Sequence, residues 1–205
     1  MKPTLYAAVA AVLVLGCSQA TTKASEAPRE GALPEGWTPA TDGGQPGQWK
    51  FVRGEDGPVL ALDVNGGDEQ FNLLLSGAKH GPDLALSVRL RADRGEIDRG
   101  GGLVWRAADA SNYYVTRWNP LENNLRLYKV EDGTRTKFAS VDTKLDPAAW
   151  HTLGVTMKGA HIEVLLDGTV RLSHDDTTFS ASGAVGLWTK ADASTSFSLP
   201  EVRSL

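Results

Sequence analysis

Leu84-Ala85-Leu86-Ser87-Val88-Arg89-Leu90-Arg91 is the stretch whose reading decides the fold. Aliphatic residues occupy every second position, with small or charged residues between them. That period of two belongs to a strand with one buried and one wet face, not to a helix. The same alternation recurs on both sides. Phe71, Leu73 and Leu75 alternate with Asn72, Leu74 and Ser76, and Leu125 and Leu127 with Arg126 and Tyr128. Leu153, Val155 and Met157 form a further set, followed by Ile162, Val164 and Leu166, then Val185 and Leu187. Asp-Gly pairs at Asp56-Gly57, Asp132-Gly133 and Asp167-Gly168 punctuate these runs. Such pairs tolerate the positive φ that tight hairpins demand. They predict hairpins of 124–130 with 135–141 and of 161–166 with 169–173. No segment carries a 3.6-residue apolar stripe of ordinary helix length, so a parallel α/β architecture, which needs crossover helices, is excluded. The expectation is an all-β, antiparallel two-sheet sandwich without internal repeats.

Composition narrows the class further. Of 205 residues, 41% are hydrophobic, enough for one core and too few for a polytopic membrane protein. The net charge of −4 argues against a nucleic-acid partner, which requires clustered cations to neutralise phosphates. The N-terminus reads as a targeting segment. Lys2 supplies a positive charge, and residues 5–15 form an apolar run too short to span a bilayer. Val14-Leu15-Gly16-Cys17 resembles the bacterial lipobox, and Cys17 is the single cysteine of the chain. This resemblance implies cleavage after residue 16, lipidation of Cys17, and a cell-envelope protein held to a membrane by several acyl chains. Ser18, in place of an aspartate, favours the outer membrane where the host has one. Cleavage would remove one lysine and leave a net charge of −5. Residues 17–48 carry Pro28, Pro34, Pro39 and Pro46 without apolar periodicity, and read as a tether. Its second half is expected to lie against the domain, anchored by Trp37. The sandwich itself is assigned to 49–205.

A family resemblance rests on Gly101-Gly102-Leu103-Val104-Trp105-Arg106, Asn112-Tyr113-Tyr114-Val115-Thr116-Arg117 and the run from Asn119-Pro120-Leu121-Glu122-Asn123-Asn124 to Leu125-Arg126-Leu127-Tyr128. Trp150-His151-Thr152-Leu153, Leu166-Asp167-Gly168 and Gly186-Leu187-Trp188-Thr189-Lys190-Ala191-Asp192 complete it. Here the chain is similar to the laminin-G and concanavalin A-like lectin/glucanase superfamily, and most of all to bacterial exported domains of the 3-keto-disaccharide hydrolase-like kind. The resemblance implies a concanavalin A-like jelly roll and a core role for Trp150. It says little of activity, because one sandwich hosts lectins, hydrolases and inert modules.

The chemical constellations are sparse. Retaining glucanases of this fold place carboxylates on one strand in a Glu-x-Asp-x-x-Glu pattern, and the chain has none. Glu163 and Asp167 stand four apart, with Asp167 better suited to its turn, and Glu96 and Asp98 fall in an expected loop. His80, His151, His161 and His174 lack metal-pair spacing, so no metal site is assigned. His174-Asp175-Asp176-Thr177 offers oxygens to Ca²⁺, with an Asx-rich turn as the alternative. Nucleophile elbows and phosphate-cradling loops are absent.

What remains is one polar face. If Val185 and Leu187 point inward, Trp188 and Lys190 point outward, and Leu125 and Leu127 likewise send Arg126 and Tyr128 outward. Arg106 and Arg117 close strands that otherwise read as buried, where a charge is costly unless paired or lining a cleft. Along 112–118 the parity is ambiguous, since Tyr113 and Tyr114 both suit burial. The candidate ligand face is Arg106, Arg117, Arg126, Tyr128, Trp188 and Lys190, with Asn119 and Asn123 at its edge. Carbohydrate is the expected partner, with Trp188 stacking on a sugar and the arginines donating paired hydrogen bonds. Three functions fit: a non-catalytic carbohydrate-recognition module; an enzyme acting on 3-keto-glycosides through Glu122, His151 and Asp175; or a structural, protein-binding sandwich.

Overall fold

The computed structural model describes residues 29–55, 57–64 and 67–205. The expected signal segment, Cys17 and the first part of the expected tether lie outside the described residues, as does Asp56 of the first Asp-Gly pair. Among the described residues the chain forms strands and no helix. In chain order these are β1 (Trp37–Thr41), β2 (Gln48–Gly54), β3 (Gly57–Asp63), β4 (Phe71–His80), β5 (Leu84–Arg94), β6 (Gly101–Ala107), β7 (Tyr113–Asn119) and β8 (Asn124–Glu131). They continue as β9 (Thr134–Asp142), β10 (His151–Lys158), β11 (His161–Leu166), β12 (Thr169–Asp175), β13 (Gly183–Lys190), β14 (Ser194–Phe197) and β15 (Glu201–Ser204).

Two antiparallel sheets result. The seven-stranded sheet runs β1-β4-β13-β6-β7-β8-β9, and the eight-stranded sheet runs β12-β11-β10-β5-β14-β3-β2. The eighth strand, β15, pairs with the first half of the long β5, whose second half pairs with β14. This is the concanavalin A-like jelly-roll sandwich. Both described Asp-Gly hairpins take the required backbone: φ is 49° and 76° at Asp132 and Gly133, and 49° and 78° at Asp167 and Gly168.

The alternation read along 84–91 places the core. Leu84, Leu86, Val88 and Leu90 meet Leu153, Val155 and Met157 of β10 and face Leu103, Trp105, Leu125, Leu127, Val185 and Leu187 of the other sheet. Each such side chain, removed fully from water, contributes about 1.5–3 kcal/mol. Tyr113 and Tyr114 are both buried but point opposite ways. Tyr114 joins this inter-sheet core, and Tyr113 joins a second apolar cluster on the outer face of the seven-stranded sheet.

The folded body starts before residue 49. Residues 37–41 form the edge strand β1 against β4, and Gly31 and Ala32 exchange main-chain hydrogen bonds with Phe51. Pro39, which read as a linker residue, sits in this edge strand, where its missing N–H costs no ladder bond. Trp37 is partly buried and packs on the core.

Trp150 departs from its expected core position. It stands just before β10, partly buried, with the Arg89 and Arg91 guanidinium carbons each 5.2 Å from its ring centroid. Those arginines lie on the wet face of β5, so the ring covers the outside of the eight-stranded sheet.

Candidate functional site

Register aligns the polar face strand by strand. Trp188 of β13 pairs with Gly102 of β6, Gly102 with Arg117 of β7, Arg117 with Arg126 of β8, and Arg126 with Ser140 of β9. Residues paired across antiparallel strands share a face, so these side chains form one row on the outside of the seven-stranded sheet. Tyr128 shares this face one step along β8, and Lys190 lies at its other side.

The row is organised around Glu122, in the 119–123 turn between β7 and β8. Its Oε2 accepts from Arg117 Nη2 at 2.9 Å and from Asn124 Nδ2 at 2.9 Å, and is ion-paired with Arg126 Nη1 at 2.8 Å. Partial burial raises the Glu122 pKa, but hydrogen bonds from Asn124 and Arg117 and the charges of Arg117 and Arg126 outweigh it and hold the group at about 2. Arg117 is 2% exposed and also donates to Asn124 Oδ1 at 2.6 Å. The Glu122 side chain, by contrast, is 43% exposed. A buried cation thus fixes a carboxylate that faces solvent.

The turn is itself braced from below. Asn119 Oδ1 accepts from the main-chain N–H of Leu121 and Glu122, and its Nδ2 donates to Asp98 Oδ1 at 2.8 Å. Burial raises the pKa of Asp98, against the opposing charges of Arg117 and Lys190. Asp192 holds the loop carrying Asp98, accepting from the N–H groups of Glu96, Ile97 and Asp98. Asn119 therefore shapes the turn and does not face outward. Asn123 is exposed with φ of 50°, a left-handed turn position that asparagine tolerates.

One expected placement changes, and two residues on the face are occupied differently than expected. Arg106 is not on this face. A bulge in β6 opposite Ala184 and Gly186 breaks the alternation, and Arg106 takes φ of 48°. Its guanidinium then donates to the carbonyls of Pro82 (2.9 Å), Phe179 (2.7 Å) and Gly159 (2.9 Å), tying three loops. Trp188 is on the face but only 1% exposed, so it presents no ring to a sugar. Arg135 of β9 reaches over it: its guanidinium carbon lies 5.0 Å from the Phe71 ring, 4.7 Å from Tyr128 and 5.7 Å from Trp188. Trp188 Nε1 donates to Tyr113 OH at 3.2 Å, so the ring is part of the floor. Lys190 is paired with Asp68 at 2.6 Å. Arg135 is a member of the site that periodicity does not reveal, because it reaches across strands; Asn124 shares the parity of Arg126 and Tyr128 and is legible on that ground.

Glu122, His151 and Asp175 do not assemble. His151 Nδ1 bonds Asp167 Oδ2 at 2.9 Å, and Asp175 Oδ1 bonds His161 Nδ1 at 2.7 Å, so neither shares a partner with Glu122. The oxygens of the 174–177 run also diverge. His174 stacks on Phe138, while Asp176 accepts from Tyr114 OH and from the N–H of Thr178. Among the described residues no group of three or more His, Cys, Asp or Glu side chains is placed to hold a metal ion.

Fold and face together define the class: a concanavalin A-like sandwich with a charged, aromatic-floored sheet face. No family model matches the chain, and no curated protein matches it. Solved structures do. The carbohydrate binding module CBM66 from Bacillus subtilis superposes with a TM-score of 0.67 at 23% identity, covering 82% of this chain and 96% of that one. The Bacillus licheniformis beta-glucanase gives 0.57 at 15% identity, covering 89% and 98%. The carbohydrate recognition domain of Emp46p, in its potassium-bound form, gives 0.56 at 14% identity, covering 82% and 88%. At these identities the likeness establishes the fold.

Proposed function

We propose that the chain is a membrane-tethered, non-catalytic carbohydrate-recognition module whose sugar meets the seven-stranded sheet around Glu122 and Arg126. The observation that carries this reading is the convergence of Arg117, Arg126 and Asn124 on one oxygen of a solvent-facing carboxylate. Oε1 makes none of those three contacts. Neighbouring sugar hydroxyls both donate and accept, so an ionised acceptor fixed beside guanidinium donors suits them and needs little ordering on binding. Sugar contact in this arrangement falls to Glu122, Arg126 and Arg135, with Tyr128, Trp188 and Phe71 beneath. The likeness to a carbohydrate binding module and to a carbohydrate recognition domain supports a carbohydrate ligand, and the lipobox resemblance at Cys17 supports the tether.

Hydrolysis would require a second carboxyl group flanking the bond. Asp98, the carboxylate that Asn119 ties to this turn, is 7% exposed and occupied by Asn119 and by the N–H of Arg99. Recognition therefore fits the geometry better than cleavage. A glycan array probed with the detergent-solubilised full chain and with Glu122→Gln tests the reading. Discrete glycan signals that vanish in the variant are expected. An array without signal, or one unchanged by the substitution, would contradict it.

A further inference from the structure

The eight-stranded sheet carries a feature that the face above does not use. On its outside, between the β2–β3 hairpin and the segment entering β10, lies a cavity of about 190 Å³. Its walls include Val52, Val59 and the ring of Trp150, with Arg53, Arg89 and Arg91 bringing charge. The floor follows from register: Arg91 pairs with Ser196 of β14, the Arg89 carbonyl accepts from the Ser198 N–H at 2.9 Å, and the Arg89 N–H donates to Ser198 Oγ at 3.0 Å.

The charges are unevenly satisfied. Arg91 Nε is 2.6 Å from Asp93 Oδ1, and Asp93 Oδ2 accepts from Ser196 Oγ at 2.6 Å. Arg89 has no such carboxylate among the described residues, and its guanidinium lies against the Trp150 ring. An arginine resting on an aromatic face keeps its N–H fork free to take an oxyanion. Glu55 is the single acidic residue among the described lining, so the pocket retains positive charge after Arg91 is neutralised. The volume is below the roughly 300–1,000 Å³ of sites for drug-sized ligands, which suits one ring rather than a chain.

We propose that this pocket is a second ligand site, on the sheet opposite the first, and that it takes a single carboxylated sugar residue. The sugar carboxylate pairs with Arg89, and its ring packs in the wall formed by Trp150, Val52 and Val59. The site stands independently of the Glu122 reading.

The test is a titration of the detergent-solubilised full chain with D-glucuronate, D-glucose and acetate, followed by tryptophan fluorescence. Glucuronate should saturate the signal and bind at least about tenfold more tightly than either of the others, the worth of one charge-assisted contact. Trp150→Phe should remove the signal change, and Arg89→Gln, which leaves the Trp150 wall in place, should weaken binding by about tenfold or more. Glucuronate no tighter than glucose, acetate as tight as glucuronate, or Arg89→Gln binding like the wild type would each overturn the proposal. A blank glycan array with intact glucuronate binding would remove the first reading and leave this one.

Discussion

Two side chains show how the same residue type acquires opposite roles. Arg106 and Arg117 are both almost wholly buried, at 4% and 2% exposure. Arg106 spends its donors on three main-chain carbonyls and is structural; Arg117 gives one to Glu122 of the exposed turn and one to buried Asn124 at the start of β8. Arg106→Ala should therefore cost about 2–3 kcal/mol, since it strips charged donors from buried carbonyls. Arg106→Lys should recover little, because an ammonium does not reproduce the fork. Denaturant midpoints of the two variants measure this, and a lysine variant as stable as wild type would refute it. Glu122 makes a pH-dependent contribution of known sign. Its folded pKa of about 2 lies below its ordinary 4.5, so its stabilisation is complete above pH 4.5 and is lost as pH falls toward 2. Acid titration of stability should show the gap between wild type and Glu122→Gln closing over that window. A gap constant from pH 6 to 2 would mean that the carboxylate is not held as described.

At the level of elements, β6 and β7 approach unusually closely in the middle of the site row. A Cβ added at Gly102 would lie 1.8 Å from the main-chain oxygen of Thr116. Gly102→Ala should thus destabilise by about 3 kcal/mol or more, because the obstruction is backbone that has nowhere to move. A melting temperature equal to wild type would show that the strands can separate at no cost. The same elements explain what the sequence makes legible. Strand alternation holds without interruption through Arg126–Tyr128 of β8 and Trp188–Lys190 of β13, and those residues fall on one face as their parity predicts. It fails at Arg106, where a bulge adds a residue that no periodicity announces. It is silent about Arg135, whose reach over Phe71, Tyr128 and Trp188 depends on the neighbouring strand's register. Trp150 reads as core because an aromatic heads an apolar strand, yet two arginines of β5 give it a cationic seat outside the sheet. The edge strand β1 escapes notice because it holds Pro39 and is flanked by Pro34, Gly36, Gly43 and Gly44, which together resemble a linker.

For the whole molecule, the sandwich presents different chemistry on its two outer faces: a carboxylate-centred cluster on one sheet and an arginine-lined pocket on the other. On the two proposals above, each outer face would take its own ligand, and the expected lipid anchor at Cys17 would hold both near a membrane. The tether is testable alone. Cys17→Ser should abolish fatty-acid labelling and move the protein out of the membrane fraction. Continued labelling of that variant would refute the anchor.

The central claim is that a sugar docks on the seven-stranded sheet at Glu122 and Arg126. The most direct measurement is an NMR titration of the detergent-solubilised full chain with a neutral oligosaccharide selected on the array, following amide and arginine side-chain shifts. Docking at this site should give saturable shifts concentrated at residues 117–128 and at Arg135, with affinity reduced about tenfold by Arg126→Ala, the cost of about 1.4 kcal/mol of lost contact. Shifts centred elsewhere on the sandwich, or an Arg126→Ala variant binding with wild-type affinity, would contradict it.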